Sequence, residues 1–389
     1  MKKLLLLIFI SILSFTTQSQ SITLSEQAEV SLITCGPGTE LFSAFGHTAF
    51  RVHDPKVGFD RVYNYGTFDF NDPNFYANFT KGDLRYFLSA YDFGRFLRTY
   101  HTEKRWVTGQ VLNLQQTDVQ KIFDYLENNA KKENREYFYD YFFNNCSTKP
   151  YDVIVEIIGD KLIEPEIFNT KTTSHRQLTQ PYLKNLSWGD FGIDLALGAP
   201  IDRKATPKEY LFLPENVLTY FDAMKIVEDG NELPIVKRTE NILLKQEVNY
   251  KDAFFTPLTT FSILALLVIL FTLKNIKQQK RSRFLDFLIF FITGLIGVFL
   301  LLTWFGTNHI SARNNYNTLW AFAPNLVVSF FLFKKKLPSW IHKYALISLV
   351  VLMVGLLIWI LKIQVFSIAV LPLIVILGVR YFYLWKLAK

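Results

Sequence analysis

The chain has 389 residues, of which 50% are hydrophobic, 16% aromatic and only 20% charged, with a net charge of +8. Its mean hydropathy is positive, at +0.16, whereas an ordinary soluble domain carries about 25% charged residues, so the composition leans towards membrane and excludes disorder. Two cysteines, Cys35 and Cys146, are too few for a disulfide scaffold or a thiolate zinc site, and no repeat period supports a collagen, coiled-coil or solenoid architecture.

Residues 1–20 read as a secretory signal: Lys2 and Lys3, an apolar stretch over 4–15, then a small polar exit. The stretch is short of the roughly 20 residues a spanning helix needs; a retained anchor is the alternative. Residues 21–225 then suit one exported α+β domain. Alternation predicts strands over 29–35, 47–53, 61–68 and 106–114, with turns over 37–40 and 54–60. Thr117-x-x-Gln120 reads as a capping box opening an amphipathic helix to about Ala130. An aromatic run over 137–143 leads into Asn144-Asn145-Cys146-Ser147-Thr148-Lys149-Pro150 and a helix over 153–158. Residues 226–253, charged and turn-rich, read as a tether.

From Phe254 onward five apolar segments follow, over 254–273, 284–304, 316–333, 344–361 and 365–385, each near spanning length. Basic residues fill alternate connections: Lys274, Lys277, Lys280, Arg281 and Arg283, then Lys334, Lys335, Lys336 and Lys343, then the C-terminus; the others carry only Arg313 and Lys362. Basic loops stay in the cytoplasm. The expectation is a multi-pass inner-membrane protein with its N-terminal domain outside and its C-terminus cytoplasmic. The net charge is then largely topology, and nucleic acid is not an expected partner. Asp286 and Arg380 lie near cytoplasmic ends, where they are expected to reach the headgroups. Pro324 and Asn325 interrupt the third segment, implying a kinked helix or a lipid-accessible cavity.

The cysteines admit three readings: a Cys35–Cys146 disulfide, two inert buried thiols, or Cys146 as a nucleophile. Cys146 follows two asparagines and precedes a helix, where partial positive charge and free N–H groups stabilise a thiolate. Pro150 moves the start of regular helix to 148–150, which weakens that argument. A thiol nucleophile needs a base and an orienting group. His47 heads a strand that puts His47, Ala49 and Arg51 on one face, and Asn64 lies across the hairpin. His53 shares that face nearer the turn, while His101 and His175 sit in polar, loop-like stretches.

Ser43-Ala44-Phe45-Gly46-His47, Val62-Tyr63-Asn64-Tyr65-Gly66-Thr67-Phe68 and Phe143-Asn144-Asn145-Cys146-Ser147-Thr148 resemble the Lnb-type bacterial lipoprotein N-acyltransferases. The wider likeness is to circularly permuted papain-like enzymes of the NlpC/P60 and lecithin:retinol acyltransferase kind. The outer loop from Asn308-His309 through Arg313-Asn314-Asn315-Tyr316-Asn317-Thr318-Leu319-Trp320 is similar too. The resemblance implies an exported permuted papain-like domain, 21–225, followed by a five-helix membrane domain, 254–389. It implies Cys146 as nucleophile, His47 as base and Asn64 as orienting residue. Many permuted relatives carry a second histidine where this chain has Asn64.

The implied partners are a phospholipid acyl donor, a diacylglyceryl apolipoprotein acceptor and the membrane, with no cofactor and no metal. The acyl chain would pass through a Cys146 thioester to the lipoprotein α-amine. His309, Arg313 and Asn145 are the candidate substrate-binding residues. The aromatic density over 59–100 reads either as core or as an acyl-chain channel. Lys81, Arg85, Arg95 and Arg98 are candidates for headgroup contact. Two alternatives remain: a cysteine peptidase or phospholipid hydrolase on the same site, and a non-catalytic membrane-tethered module with a Cys35–Cys146 disulfide.

Overall fold

The computed structural model describes residues 22–69, 71–247 and 254–387. The expected signal, 1–20, lies outside the described residues. The N-terminal half begins with β1 (Glu29–Cys35), β2 (His47–Asp54), β3 (Phe59–Thr67), α1 (Phe75–Lys81), β4 (Arg85–Asp92), α2 (Phe93–Thr102) and β5 (Val107–Leu112). It continues with α3 (Gln116–Asn129), β6 (Glu136–Phe138), α4 (Thr148–Ile158), β7 (Leu162–Ile163), α5 (His175–Leu183), α6 (Ser187–Ala196) and α7 (Pro214–Ala223). It closes with β8 (Lys225–Glu228), β9 (Asn231–Pro234) and β10 (Val236–Leu243). One seven-stranded antiparallel sheet runs in the order β10-β5-β1-β2-β3-β4-β6, and β7, β8 and β9 form a small second sheet.

Strand alternation sorts the two faces. Val30, Leu32, Phe50, Val52, Tyr63 and Tyr65 pack under α3 and α4. Ile33, Cys35, Ala49 and Val62 face Phe93, Phe96 and Tyr100 of α2. Each fully buried large side chain contributes about 1.5–3 kcal/mol, so two covered faces hold the sheet rigid where the site is built.

Two sequence expectations change. Residues 226–243 are folded rather than a tether: β8 and β9 form a hairpin, and β10 closes the main sheet against β5. As an edge strand, β10 exposes polar residues that read like a linker; Lys237 and Arg238 pair with Glu29 of β1, on the far side of β5. The Thr117 capping box is also absent. Helix α3 starts at Gln116 with no side-chain cap, and Gln120 bonds the backbone of Leu24 and Ile22 instead. A true capping box, Ser174 with Gln177, opens α5.

The C-terminal half contains α8 (Pro257–Gln278), α9 (Arg283–Phe305), α10 (Asn325–Leu332), α11 (Ile341–Ile360) and α12 (Val370–Leu387). Four of these, all but α10, are long and apolar enough to cross a membrane. The expected third span is broken: a 3-10 turn at Tyr316–Leu319, then a bend at Pro324, then the short α10. The broken segment still runs antiparallel along all of α9. Tyr316 meets Trp304, Phe330 and Phe333 meet Phe287, and Arg281 donates to the carbonyls of Leu332 and Lys334. A Cβ on Gly294 would lie 2.0 Å from Leu326 N, and one on Gly297 1.9 Å from Ala321 O, so glycine is what admits the approach. The break is filled by packing: Asn325 is buried, donating to Tyr381 at 2.8 Å and Thr293 at 3.2 Å and accepting from Tyr344 at 2.5 Å.

Asp286 and Arg380 do not reach out to headgroups. Both are fully buried and paired with each other. Arg380 also donates to Thr272 at 2.8 Å, and Arg281 bonds the other Asp286 oxygen at 3.1 Å. A buried pair of this kind ties helices together at the cost of desolvation, so its geometry must be good.

The halves meet through backbone carbonyls. Asn315 donates to Leu195 and Ala196, Asn317 to Asp194, and Gln364 to Leu197. Arg176, 1% exposed, holds that loop from within through Asp194 and Asp202. Asn308 binds the Lys81 carbonyl and the Asp83 side chain. The loops after α9 and α11 thus lie against the N-terminal domain, while the lysine-rich loops are at the opposite ends of these helices.

Candidate active site

The chain enters α4 through Asn145, whose side chain is fully used. Its Oδ1 accepts from Ser147 N at 2.8 Å and Thr148 N at 2.9 Å, and its Nδ2 donates to the carbonyls of Tyr141 and Phe212, both at 2.8 Å. Such a cap satisfies the first free N–H groups of the helix and leaves Cys146 immediately ahead of it. Among the described residues, no backbone acceptor takes the Cys146 N–H. Pro150 sits in the first turn, where a missing N–H costs nothing.

Cys146 is half-buried. Burial pushes its thiol up, but the charge and hydrogen bond of His47, the backbone N–H of Thr48 and the Ser147 hydroxyl outweigh that and hold it below the ordinary thiol value. Ser147 Oγ is 3.9 Å from the sulfur and is itself tied to Thr48 at 3.2 Å. Nε2 of His47 lies 2.5 Å from Asn64 Oδ1. The Asn64 amide nitrogen donates to Tyr91 at 3.3 Å, which turns Oδ1 to the imidazole. Asn64 therefore accepts, His47 carries its proton on Nε2, and Nδ1 is left for the thiol.

Residues 64–67 contain a bulge, and Gly66 beyond Asn64 has φ +87°. A Cβ there would stand 3.3 Å from Cys146 Cβ, 3.7 Å from Tyr139 and 4.0 Å from the Tyr137 hydroxyl. Glycine thus leaves a small space beside Cys146 Cβ, walled by two tyrosines. Tyr137 Oη is buried; among the described residues its hydroxyl finds no acceptor, and the backbone of Gly66 lies against it.

Both cysteines are free thiols, so the structure holds no Cys35–Cys146 bond. Cys35 is fully buried beside Tyr100 and Arg105, and burial pushes its thiol up to about 12. His175, expected in a loop, opens α5 and is fully buried against Phe142, Phe143 and Phe212. Among the described residues its two nitrogens find no partner, and burial lowers it to about 4. His101 falls in α2.

The structure brings Cys146, His47 and Asn64 together. It places the candidate substrate-binding residues elsewhere or in other work. Asn145 is buried and saturated as the helix cap. His309 donates to the Phe79 carbonyl at 2.9 Å, on the seam between the halves. Arg313 has an exposed side chain while its carbonyl abuts Gly198. Gly66 and Tyr137 were missed as site residues. Their signals were present: a glycine inside a strand pattern marks a bulge or close approach, and tyrosines at 137, 139 and 141 share one spacing.

Two family models match the chain. The Lnb N-terminal periplasmic domain matches residues 16–180, which contain Cys146, His47 and Asn64. The Lnb transmembrane domain matches residues 249–389. The chain belongs to the Lnb family. No curated protein and no solved structure gives a significant match. Membership in Lnb supports a lipoprotein N-acyltransferase type of role in general. The Lnb domain names also agree with a sheet domain outside the membrane and a helical domain within it. Residues 181–248, between the two matches, supply the Phe212 carbonyl that anchors Asn145 and the 194–202 loop that docks on the membrane half.

Proposed function

We propose that this Lnb protein moves an acyl chain from a membrane phospholipid to the α-amine of a diacylglyceryl-cysteine lipoprotein through a thioester on Cys146. The observation that carries the reading is the Cys146–His47–Asn64 array, with the thiol held low and the imidazole tautomer set by Asn64. His47 Nδ1 takes the thiol proton. The thiolate attacks the donor ester carbonyl, forming the S–C bond. The C–O bond then breaks, and the glycerol oxygen leaves with the proton from His47 as lysophospholipid. In the second half the neutral amine attacks the thioester, the C–S bond breaks, and the amine proton passes to the thiolate–imidazole pair. A free α-amine near pKa ~8 has enough neutral form for this step. Two easier barriers replace one hard one.

The Cys146 N–H, which no backbone acceptor takes among the described residues, and the Tyr137 hydroxyl proton serve as the oxyanion donors. The space left by Gly66 receives the reacting carbonyl. The five apolar segments form the membrane anchor, with α10 and the turn before it as the fifth crossing and the C-terminus in the cytoplasm. Both substrates are membrane-embedded, which accounts for seating the domain on the outer helix ends.

Intact-mass measurement on the full chain in phospholipid-containing micelles tests this. Wild type should gain one hydroxylamine-sensitive acyl group, and adding a diacylated lipopeptide should discharge it into a triacylated product. Cys146→Ser should gain none, and His47→Ala should acylate at least ~10²-fold more slowly. Discharge into free fatty acid despite the lipopeptide would instead favour a hydrolase, and a wild type that never acylates would overturn the reading.

A further inference from the structure

The aromatic-rich stretch 59–100 divides in two in the structure. Tyr63, Tyr65, Phe93 and Phe96 are buried core. Phe68, Phe75, Phe79 and Tyr86 are not: they stay half-exposed or exposed, in one continuous row. The row starts at Tyr139, which walls the space beside Cys146. Tyr139 stacks on Tyr86 with centroids 4.4 Å apart, Tyr86 meets Phe68 at 5.1 Å, and Phe68 meets Phe75 at 5.7 Å. Phe75 stacks on Phe79 at 6.2 Å, and Phe79 meets His309 at 6.3 Å.

Its far end is fastened to the membrane half. His309 and Asn308 bond the carbonyls of Phe79 and Lys81. A Cβ on Gly82, φ +79°, would lie 2.7 Å from His309 N, so the close approach depends on glycine. Immediately before this loop, α9 exposes Leu302 and Phe305, the latter 74% exposed, on a helix apolar enough to lie in lipid. The row therefore runs, through six rings, from the loop that follows a lipid-facing helix to the wall of the space beside Cys146.

We propose that this row is the acyl-chain subsite, along which the hydrocarbon of the donor lipid leaves the bilayer and reaches Cys146. The proposal rests on the acyltransferase reading above. An aromatic strip suits methylene chains because it offers apolar area without fixed hydrogen-bond demands, and binding along it grows with each methylene covered. His309 thereby has a role the sequence assigned it only loosely: it anchors the entrance of the subsite rather than contacting a headgroup.

The test compares dihexanoyl and dipalmitoyl phosphatidylcholine as donors to the full-length protein, reading the Cys146 adduct by mass. In Phe75→Ser/Phe79→Ser the ratio of long-chain to short-chain acylation rate should fall about tenfold or more, since contact with as few as two methylenes is worth that much. An unchanged ratio would overturn the subsite. As a check independent of folding in the variant, a phospholipid with a diazirine near the acyl terminus should crosslink wild type within residues 68–86. Label confined to other segments would overturn it equally. If wild type forms no adduct from either donor, the acyltransferase reading fails instead.

Discussion

Cys35 and Cys146 occupy neighbouring parts of one domain and differ in almost everything that governs thiol chemistry. Cys35 ends β1, pairs in register with His47, and is nevertheless sealed beneath Tyr100 and Phe96. Cys146 precedes a helix on a capped turn, half-open, with a histidine, a backbone N–H and a hydroxyl aimed at its sulfur. The histidines repeat the contrast: His47 is oriented by Asn64, whereas His175 is buried among phenylalanines without a partner among the described residues. Residue type alone therefore marks candidates, and the hydrogen-bond partners select among them.

The largest expected effect follows from thiolate content. With its thiol at about 12, Cys35 holds about 10⁻⁵ of thiolate at neutral pH and is shielded as well. Iodoacetamide on the native protein should label Cys146 at least about a thousandfold faster than Cys35, read by peptide mass. The pH midpoint for Cys146 should lie below that of an ordinary thiol. His47→Ala removes the charge that lowers it, so the midpoint should move up; Asn64→Ala should move it part of the way by freeing the imidazole. Equal labelling of the two cysteines would break the comparison.

A middle effect belongs to the histidines. His175 sits near Glu209 and Arg203, but burial dominates and lowers it to about 4 from an unfolded value of 6.5. The unfolded chain binds the extra proton between these values, so this contribution is complete above pH 6.5 and is lost as pH falls towards 4. Its size is about 3 kcal/mol. Asp190, raised to about 6 chiefly by burial, contributes with the opposite sign over part of the same window. The informative quantity is thus the difference between wild type and His175→Phe, by denaturant unfolding at each pH. The variant should gain on wild type steadily as pH falls from 6.5 to 4, and parallel profiles would sink the assignment.

Much of this was legible beforehand. Strands β1, β2, β3 and β5 follow from period-2 alternation, and the membrane half follows from apolar length and lysine-rich connections. Cys146, His47 and Asn64 were legible as candidates from the hairpin and the Asn-Asn helix entry, and as a set only through the resemblance to the Lnb-type enzymes, since most domains could supply one cysteine, one histidine and one asparagine. What stayed hidden depends on contacts distant in the chain. β10 looked like linker because an edge strand carries charge on its open side. The interruption of the third apolar segment at Pro324 and Asn325 was visible, but nothing local shows that Gly294 and Gly297 of α9 receive it. Asp286 and Arg380 are 94 residues apart, so their pairing was not written in either neighbourhood. Asn145 looked available for substrate because the Phe212 carbonyl that consumes its amide lies 67 residues on.

The smallest expected effect is also the sharpest test of the comparison. Cys35→Ala deletes one sulfur from a packed cluster, a change comparable to removing one buried methyl group, and should cost about 1 kcal/mol of stability. The thiol shares a sheet face with His47, but its sulfur is packed among Phe93, Phe96 and Tyr100 and makes none of the hydrogen bonds that orient the imidazole, so removing it leaves the His47–Asn64 bond and the capped turn in place. Acyl-adduct formation should then proceed at the wild-type rate while Cys146→Ser abolishes it. A disulfide-stabilised module makes the opposite forecast, because either substitution opens the same bond and the two variants must behave alike. Equal loss in both, with a mass two units low in untreated wild type that reduction restores, would show that the thiols act as one unit and that Cys146 is not a nucleophile in its own right.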